Sequence, residues 1–562
     1  GRPFLFRRIK KTSATMKDES QNFLKEIKSL KEEIKQLKIK KRYGLIWEEK
    51  KEQVVEICKE KSPVFAEDDN KEIKTSKDSP VNILIEGDNY HALSVLNYTH
   101  KESVDFIYID PPYNTGNKDF TFNDHYVDKE DAYRHSKWLS FMHRRLNLAK
   151  NLLKDTGLIL VSISDIEMPQ LRMLMNEIFG ENNVDIMVWH KVDDDSGRLK
   201  ITHRFRSEHE YIIVGYKKKE KVFFKKYKED RNYKNVYTNP DNDPRGAYKQ
   251  GIISNTEENS NPKSEKYFTV ITPSGKKFTR QWRYTEEEFD ELVKDNRIYF
   301  GKNGDSVPSS KVFILEPKDA TPISILQGFG TAKTAGISLL ELFNGKRVFD
   351  YPKPVELIKH LIQIATKPDA IILDFMAGTG TTGQAVLELN KEDDGNRRFI
   401  LCTNNENNIC VGVCYPRVKK VINGYKNSKG KKVSGLKVNL KYFKTDFVDA
   451  EPTDQNKKKL VDKSTEMLCL KEDCFEPIKK GSDFKIFKDS KEKYIGIIYD
   501  DAGIIPLKKE AEKINKKFIV YVFSLDDSAR EEEFEDIKQL VELKPIPAVI
   551  LNVYKRIFKW LS

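Results

Sequence analysis

Val104-Asp105-Phe106-Ile107-Tyr108-Ile109-Asp110-Pro111-Pro112-Tyr113 is the stretch on which the fold reading turns. Its first six residues are rich in β-branched and aromatic side chains, the composition of a short buried strand. Two consecutive prolines, which fix φ and lack an N–H, stop that strand. The arrest leaves three groups at the strand's mouth: the Asp110 carboxylate, the Pro111 carbonyl and the Tyr113 ring. On either side, strand and helix patterns alternate. Residues 81–85 and 158–163 read as strands, with helical stretches near 128–154 and 167–180. Further strands follow at 185–189 and 211–216. Alternation of this kind predicts an α/β domain built on a parallel sheet.

The pattern lapses between about 217 and 345, where Asn, Pro, Gly, Lys and aromatic residues dominate and only short β-like pieces stand out, such as 267–271 and 297–300. It resumes with a helix at 354–366, a strand at 371–374, a helix from Thr381 and a strand at 399–402. One α/β domain, in two parts (81–216 and 346–449), is therefore expected to carry an inserted mixed module over 217–345. Residues 1–80 read as an N-terminal helical arm and linker. In it, Phe23, Ile27, Leu30, Ile34 and Leu37 step by four, three, four and three, the spacing of a coiled-coil seam or of a helix docked on a partner. Residues 450–562 form a second, smaller alternation, with strands near 494–499, 518–523 and 548–553 separated by charged helices.

A chain of 562 residues with 38% hydrophobic and 33% charged residues is a highly charged globular protein of several domains. No run approaches the roughly 18 apolar residues of a membrane span, and the basic N-terminus has no apolar core of a secretion signal. Six cysteines without dense pairing fit a reducing compartment, so a cytoplasmic location is expected. A formal charge of +12 favours a polyanionic partner. From Lys191 to Lys249, sixteen Lys/Arg stand against ten Asp/Glu, interleaved with Phe205, Phe223, Phe224, Tyr227, Tyr233, Tyr237 and Tyr248. Basic groups neutralise phosphates and aromatic rings stack on bases, although a lysine-rich hairpin with ordinary surface tyrosines has the same composition.

The chemistry lies in two motifs. An aromatic amine on a flat base is a poor nucleophile because its lone pair is conjugated into the ring. Asp110 and the Pro111 carbonyl are placed to accept its two N–H groups, with Pro112 shaping the turn and Tyr113 stacking on a base taken out of the duplex. The second motif is Asp374-Phe375-Met376-Ala377-Gly378-Thr379-Gly380-Thr381-Thr382-Gly383, a G-x-G-x-x-G turn between a strand and a helix. Its rival reading is a nicotinamide dinucleotide site. A carboxylate at the strand end repels a pyrophosphate and suits an ammonium, and no acid follows at the distance a ribose would need, so Asp374 argues for S-adenosylmethionine. Backbone N–H groups at the helix start would receive that cofactor's carboxylate. Asp88, after the strand at 81–85, sits where a cofactor edge would be gripped. Tyr351-Pro352-Lys353-Pro354 opens a helix and could lie beside the cofactor. The cysteines and nine histidines show no metal-ligand or triad spacing, so no metal is expected, and no phosphate loop of an ATPase is present.

With these residues in view, the chain resembles the modification (Mod) subunits of Type III restriction-modification systems, within the β class of adenine-N6 DNA methyltransferases. The resemblance runs from Arg42-Tyr43-Gly44-Leu45-Ile46-Trp47 to Cys474, through Leu84–Leu93, Phe349-Asp350-Tyr351-Pro352-Lys353-Pro354, Phe399–Glu406 and Ser464–Cys469. It implies a Rossmann-like S-adenosylmethionine-dependent methyltransferase sheet with an inserted target-recognition domain. It also implies double-stranded DNA as substrate, a homodimer, and an ATP-dependent restriction (Res) subunit as partner. Catalysis would fall to Asp110, Pro111, Pro112 and Tyr113. The cofactor's methionine end would lie against Asp110, Asp374, Phe375, Ala377, Gly378, Thr379, Gly380 and Thr381, and its adenosine against Asp88 and Asn404. One departure concerns the ribose: relatives in the wider class carry an acid just after the strand near Cys402, whereas Thr403, Asn404 and Asn405 stand here and the first acid is Glu406. Two other readings stay open: a solitary methyltransferase without a restriction partner, and a DNA-specificity scaffold whose methyl transfer is dispensable.

Overall fold

The computed structural model describes residues 45–76, 79–192, 205–228, 237–314, 316, 319–449, 451, 453–523, 530–546 and 550–552. The helix expected over 16–42, Tyr233 and much of the basic stretch after Lys191 lie outside them. Contacts divide the chain into two units, one of residues 1–222, 324–362 and 367–562, the other of 223–323 with 363–366.

The first unit is organised by a ten-stranded sheet. Its strands are β1 (Lys61–Glu67), β2 (Val81–Glu86), β3 (Val104–Ile109), β4 (Leu153–Ile163), β5 (Val184–His190), β6 (His209–Tyr216), β7 (Ile325–Leu326), β8 (Ile371–Asp374), β9 (Arg398–Thr403) and β10 (Asn439–Asp449). They lie in the order β1-β10-β2-β9-β8-β3-β4-β6-β5-β7. From β10 to β4 all neighbours are parallel. The central strands are apolar on both faces, as parallel strands covered by helices on both sides must be: five of six residues in β3 and in β9 are buried. Helix Arg134–Leu152 carries the chain from β3 to β4, and helix Thr381–Asp393 from β8 to β9. These crossovers run in opposite directions along the sheet, so their right-handedness sends the two helices to opposite faces.

The parallel expectation holds for the centre of the sheet and is corrected toward both edges. At one, β1 runs antiparallel to β10. Toward the other, β6 runs antiparallel to both β4 and β5. Three strands of this sheet were not foreseen: β1, in the stretch assigned to the arm, β10, which pairs with both β1 and β2, and the short β7. The insert is also shorter as a compact unit than 217–345, since the chain returns at Ile325–Leu326 to pair with Val188 and Trp189. Of the strand expected at 548–553, residues 550–552 are helical, and the terminal sheet is instead closed by Val541–Lys544.

That terminal sheet has five strands, Glu476–Lys480, Phe484–Lys488, Tyr494–Ile498, Phe518–Val522 and Val541–Lys544, with its own core around Leu507, Val520 and Phe534. Helix Asp454–Glu472 joins it to the large sheet by burying Leu460, Met467 and Leu468 in the main core. The second unit holds a three-stranded sheet, the hairpin Tyr267–Ile271/Lys277–Gln281, and helix Glu286–Lys294, whose start is closed by a reciprocal Thr285–Glu288 cap. Ile253, Val270, Phe278, Trp282, Phe289 and Ile298 form its core. Among the described residues no helix is long and apolar enough to cross a membrane.

Candidate active site

The register between β8 and β3 brings the two motifs together. Ile372 pairs with Phe106 and Leu373 with Ile107, so Asp374 stands beside Tyr108 and Asp110 lies just past the same edge. The chain departs from β8 toward β9 and from β3 toward β4, leaving a crevice between the diverging connections, where open α/β sheets bind their ligands. Four of the expected site residues end four successive parallel strands. In spatial order these are Asp88 after β2, Asn404 after β9, Asp374 on β8 and Asp110 after β3.

Asp110 is not alone at this edge. Lys353 Nζ lies 2.9 Å from its Oδ1, 3.3 Å from Glu210 Oε2, and donates to the Tyr113 hydroxyl at 2.8 Å. Tyr113 in turn donates to Glu210 Oε2 at 2.9 Å, and Lys191 Nζ lies 3.2 Å from Glu210 Oε1. Burial pushes the Asp110 carboxyl above the usual range, with Lys353 working against it and Glu210 adding to it. Burial also works to raise Glu210, but Lys353 and Lys191 outweigh it and hold that carboxyl down. Burial and the two carboxylates keep Tyr113 a phenol.

The loop after β3 is held from below. The Pro112 carbonyl accepts the Trp138 indole N–H at 2.7 Å. Asn114 takes a left-handed backbone with φ 56°, which a short amide side chain tolerates. Its Nδ2 donates to the Arg134 carbonyl and, at 2.6 Å, to Glu167 Oε1, which His135 Nδ1 also contacts at 2.6 Å. Pro111 is buried and Pro112 half-buried, so this network rather than the prolines alone sets the loop.

In the second motif the three glycines do different things. Gly378 has φ +51°, and a Cβ built on it meets nothing nearer than the Met376 carbonyl at 3.9 Å, so open space lies before it. Gly380 has φ +79°, with Cys414 Sγ 3.0 Å from where a Cβ would be. Gly383 faces Leu401 at 2.9 Å and lets helix Thr381–Asp393 lie close on β9. Gly380→Ala is expected to destabilise the protein by about 1–3 kcal/mol through backbone strain, read as a lower urea midpoint.

Asp374 is buried, and both of its oxygens hold its own loop: Oδ1 accepts from the Met376 N–H at 3.0 Å and Oδ2 from the Thr382 hydroxyl at 2.5 Å. Burial raises its carboxyl to about 7. The Thr379 and Thr381 hydroxyls turn inward, accepting from Arg417 Nη1 at 2.9 and 2.8 Å, while Arg417 Nε donates to Gln384 at 2.8 Å. These two threonines therefore present backbone rather than hydroxyls to the crevice. Phe375 is fully buried, and the Ala377 N–H donates to the Cys402 carbonyl at 3.0 Å.

Asp88 caps helix Asn89–Thr99, accepting from the Tyr90 N–H at 2.8 Å, and its Oδ2 lies 3.6 Å from Arg145 Nη2. Asn404 is exposed and donates to Glu406 Oε2 at 3.2 Å, so amide and acid form one polar pair at the end of β9. Sequence reasoning missed Glu210, Glu167 and Arg417, none of which has a local signature, and gave no role to Lys353, whose flanking prolines were the available signal. An acidic cluster elsewhere, Glu67, Asp69 and Glu72, is answered by Lys441, which bonds both glutamates.

The family described as DNA methylase matches residues 104–413. The chain is 34% identical over 348 residues to the Type III restriction-modification enzyme StyLTI Mod subunit of Salmonella typhimurium, covering 57% of this chain and 52% of that protein. It is 30% identical over 392 residues to the Type II methyltransferase M.KpnI of Klebsiella pneumoniae, covering 66% of this chain and 92% of that one. The crystal structure of an M1.HpyAVI–SAM complex aligns over 60% of this chain and 97% of its own, at 16% identity and a TM-score of 0.28. The chain thus spans about half the length of the StyLTI subunit and 60% of the EcoP15I Mod subunit of Escherichia coli.

Proposed function

This chain belongs to the DNA methylase family, and from that premise we propose that it transfers a methyl group from S-adenosylmethionine to N6 of an adenine turned out of duplex DNA. The observation that carries the reading is the adjacency of the Asp110 loop and the glycine turn on neighbouring strand ends, above one crevice. Asp110 and the Pro111 carbonyl accept the two amine N–H groups and turn the nitrogen lone pair toward the crevice. Tyr113 borders the base. Orientation of the reacting atoms in such a site is worth roughly 7–11 kcal/mol.

The cofactor fits the residues present: the left-handed Gly378 leaves space for a ligand to approach the backbone, and the start of helix Thr381–Asp393 supplies N–H groups to a carboxylate. When bound, it supplies the electrophilic methyl group. Gly378, Thr379 and Gly380 would hold its carboxylate through backbone, Asp374 would receive its ammonium, and Asp88 and the Asn404–Glu406 pair would hold its adenosine. The unit of residues 223–323 reads the DNA sequence. The chain acts as the Mod subunit of a Type III enzyme, in the cytoplasm, as a homodimer with an ATP-dependent restriction subunit; similarity to the StyLTI and EcoP15I Mod subunits supports that assignment.

Incubation with methyl-labelled S-adenosylmethionine and genomic DNA, followed by sequencing of modified bases, is expected to place the label in N6-methyladenine within one short motif. Label in cytosine, or none in DNA, would overturn the reading. A second expected outcome concerns protons. A buried acid raised to about 7 is largely protonated near pH 6, and a cationic ligand above it favours the ionised form. Cofactor binding at about pH 6 should therefore release a proton from Asp374, and its heat should vary with the ionisation enthalpy of the buffer. Asp374→Asn should abolish that dependence.

A further inference from the structure

Glu210 and Lys353 have no part in the reading so far, yet both reach the reacting edge. Lys353 sits between two prolines ahead of helix Val355–Ala365, and its side chain is 10% exposed. Its ammonium has three partners within hydrogen-bonding or ion-pair distance: Asp110, the Tyr113 hydroxyl and Glu210. The ammonium lies at ion-pair distance from an Asp110 oxygen that is buried and accepts no hydrogen bond, and so stands in the space an amine N–H of the base would need. Both cannot hold that oxygen along the same direction. Glu210, 13% exposed, offers a second carboxylate already on the other side of Lys353, and Lys191 holds its far oxygen.

We propose that Lys353 is a positioning residue that keeps the place of the target amine: it holds Asp110 in the empty site and shifts fully onto Glu210 when the base enters. This rests on the methyltransferase reading above. Two consequences follow. The first is electrostatic. The groups facing Asp110 are Lys353, Glu210, Tyr113, Tyr108 of β3 and Asp374 of β8, and Lys353 is the cation among them. It opposes the burial and the neighbouring carboxylates that favour a protonated Asp110, and a protonated Asp110 is a poorer acceptor for an amine. The second is competitive: an ammonium seated on Asp110 must yield before the base is captured, which weakens apparent binding of the extruded adenine.

The test compares the parent with Lys353→Met and Lys353→Arg in methyl transfer to genomic DNA between about pH 6 and pH 9. For Lys353→Met the acid limb of kcat should move to higher pH, seen as a loss of roughly tenfold or more near pH 6 that narrows to about twofold near pH 9. Near pH 9, where ionisation of Asp110 depends least on Lys353, its KM for DNA should fall by about threefold or more as the competitor is gone. Lys353→Arg, keeping the charge, should retain the parental acid limb. A loss equal at every pH, no loss at all, or a KM that stays or rises overturns the proposal. A measurement independent of activity is the titration of Asp110 in the free protein by carbon-13 NMR of labelled aspartate, its signal identified by its absence in Asp110→Asn. Asp110 should titrate at higher pH in Lys353→Met than in the parent, and an unchanged titration refutes the hold of Lys353 on Asp110. If the parent transfers no methyl group to DNA, the functional reading fails, while the titration still judges that hold.

Discussion

Asp110→Ala is expected to lower methyl transfer by roughly a hundred- to a thousandfold, the usual cost of removing one group aimed at developing charge. In the proposed reaction the carboxylate orients the amine and favours charge on its nitrogen as the new bond forms. DNA binding should persist within a few-fold, because phosphate contacts made elsewhere dominate affinity. The fold should persist too. Asp110 ends its strand rather than lying within it, and Lys353 keeps Glu210 and Tyr113 as partners when Asp110 is gone. Single-turnover transfer together with gel-shift affinity reads both quantities. Transfer within about threefold of the parent would remove Asp110 from the mechanism, since even a weak charge-assisted hydrogen bond is worth more than that. Asp110→Asn should be milder, as its amide oxygen still accepts one N–H.

The second large effect is on stability. Arg145 is 1% exposed and forms a two-pronged pair with Glu52, Nη2 to Oε1 at 2.6 Å and Nη1 to Oε2 at 3.0 Å. Its Nε donates to Asn89 Oδ1 at 2.5 Å, at the first turn of the helix that Asp88 caps. Glu52→Ala leaves the buried guanidinium with the looser Asp88 carboxylate, 3.6 Å away, in place of its two-pronged partner, and should cost about 3 kcal/mol, read from urea unfolding. Much of that cost is the poorly compensated charge, so Glu52→Met with Arg145→Met should recover a substantial part of it. The pair lies beneath Asp88, so the single variant should also weaken cofactor binding, whereas the double variant tests how far Asp88 depends on Arg145 for its place.

The two candidate motifs were readable as strand end and turn because each is local. A carboxylate followed by two prolines after an apolar run dictates an abrupt strand end, and three glycines between a strand and a helix dictate a close turn. Most of the strands and helices around them were legible for the same reason, since periodicity and breakers act over a few residues. The misses are of another kind. β1 and β10 are strands only because each lies against a neighbour distant in sequence, Lys61 opposite Asp449 and Val81 opposite Asn439. The inward turn of Thr379 and Thr381 depends on Arg417, a residue of a later helix with nothing in its own segment to announce the contact.

Taken alone, the order of residues determined the alternating α/β class, the two strand-end loops proposed to form the site, and the acid and glycines at their heart, because these follow from backbone stereochemistry and short-range apolar patterning. Only the folded chain decided that Asp110 and Asp374 share an edge, that β6 runs against its neighbours, and that Glu210 and Lys353 meet at Asp110. Those facts depend on strand register and on pairing between residues up to hundreds of positions apart, where the free energy comes from joint burial and charge compensation that no single segment contains.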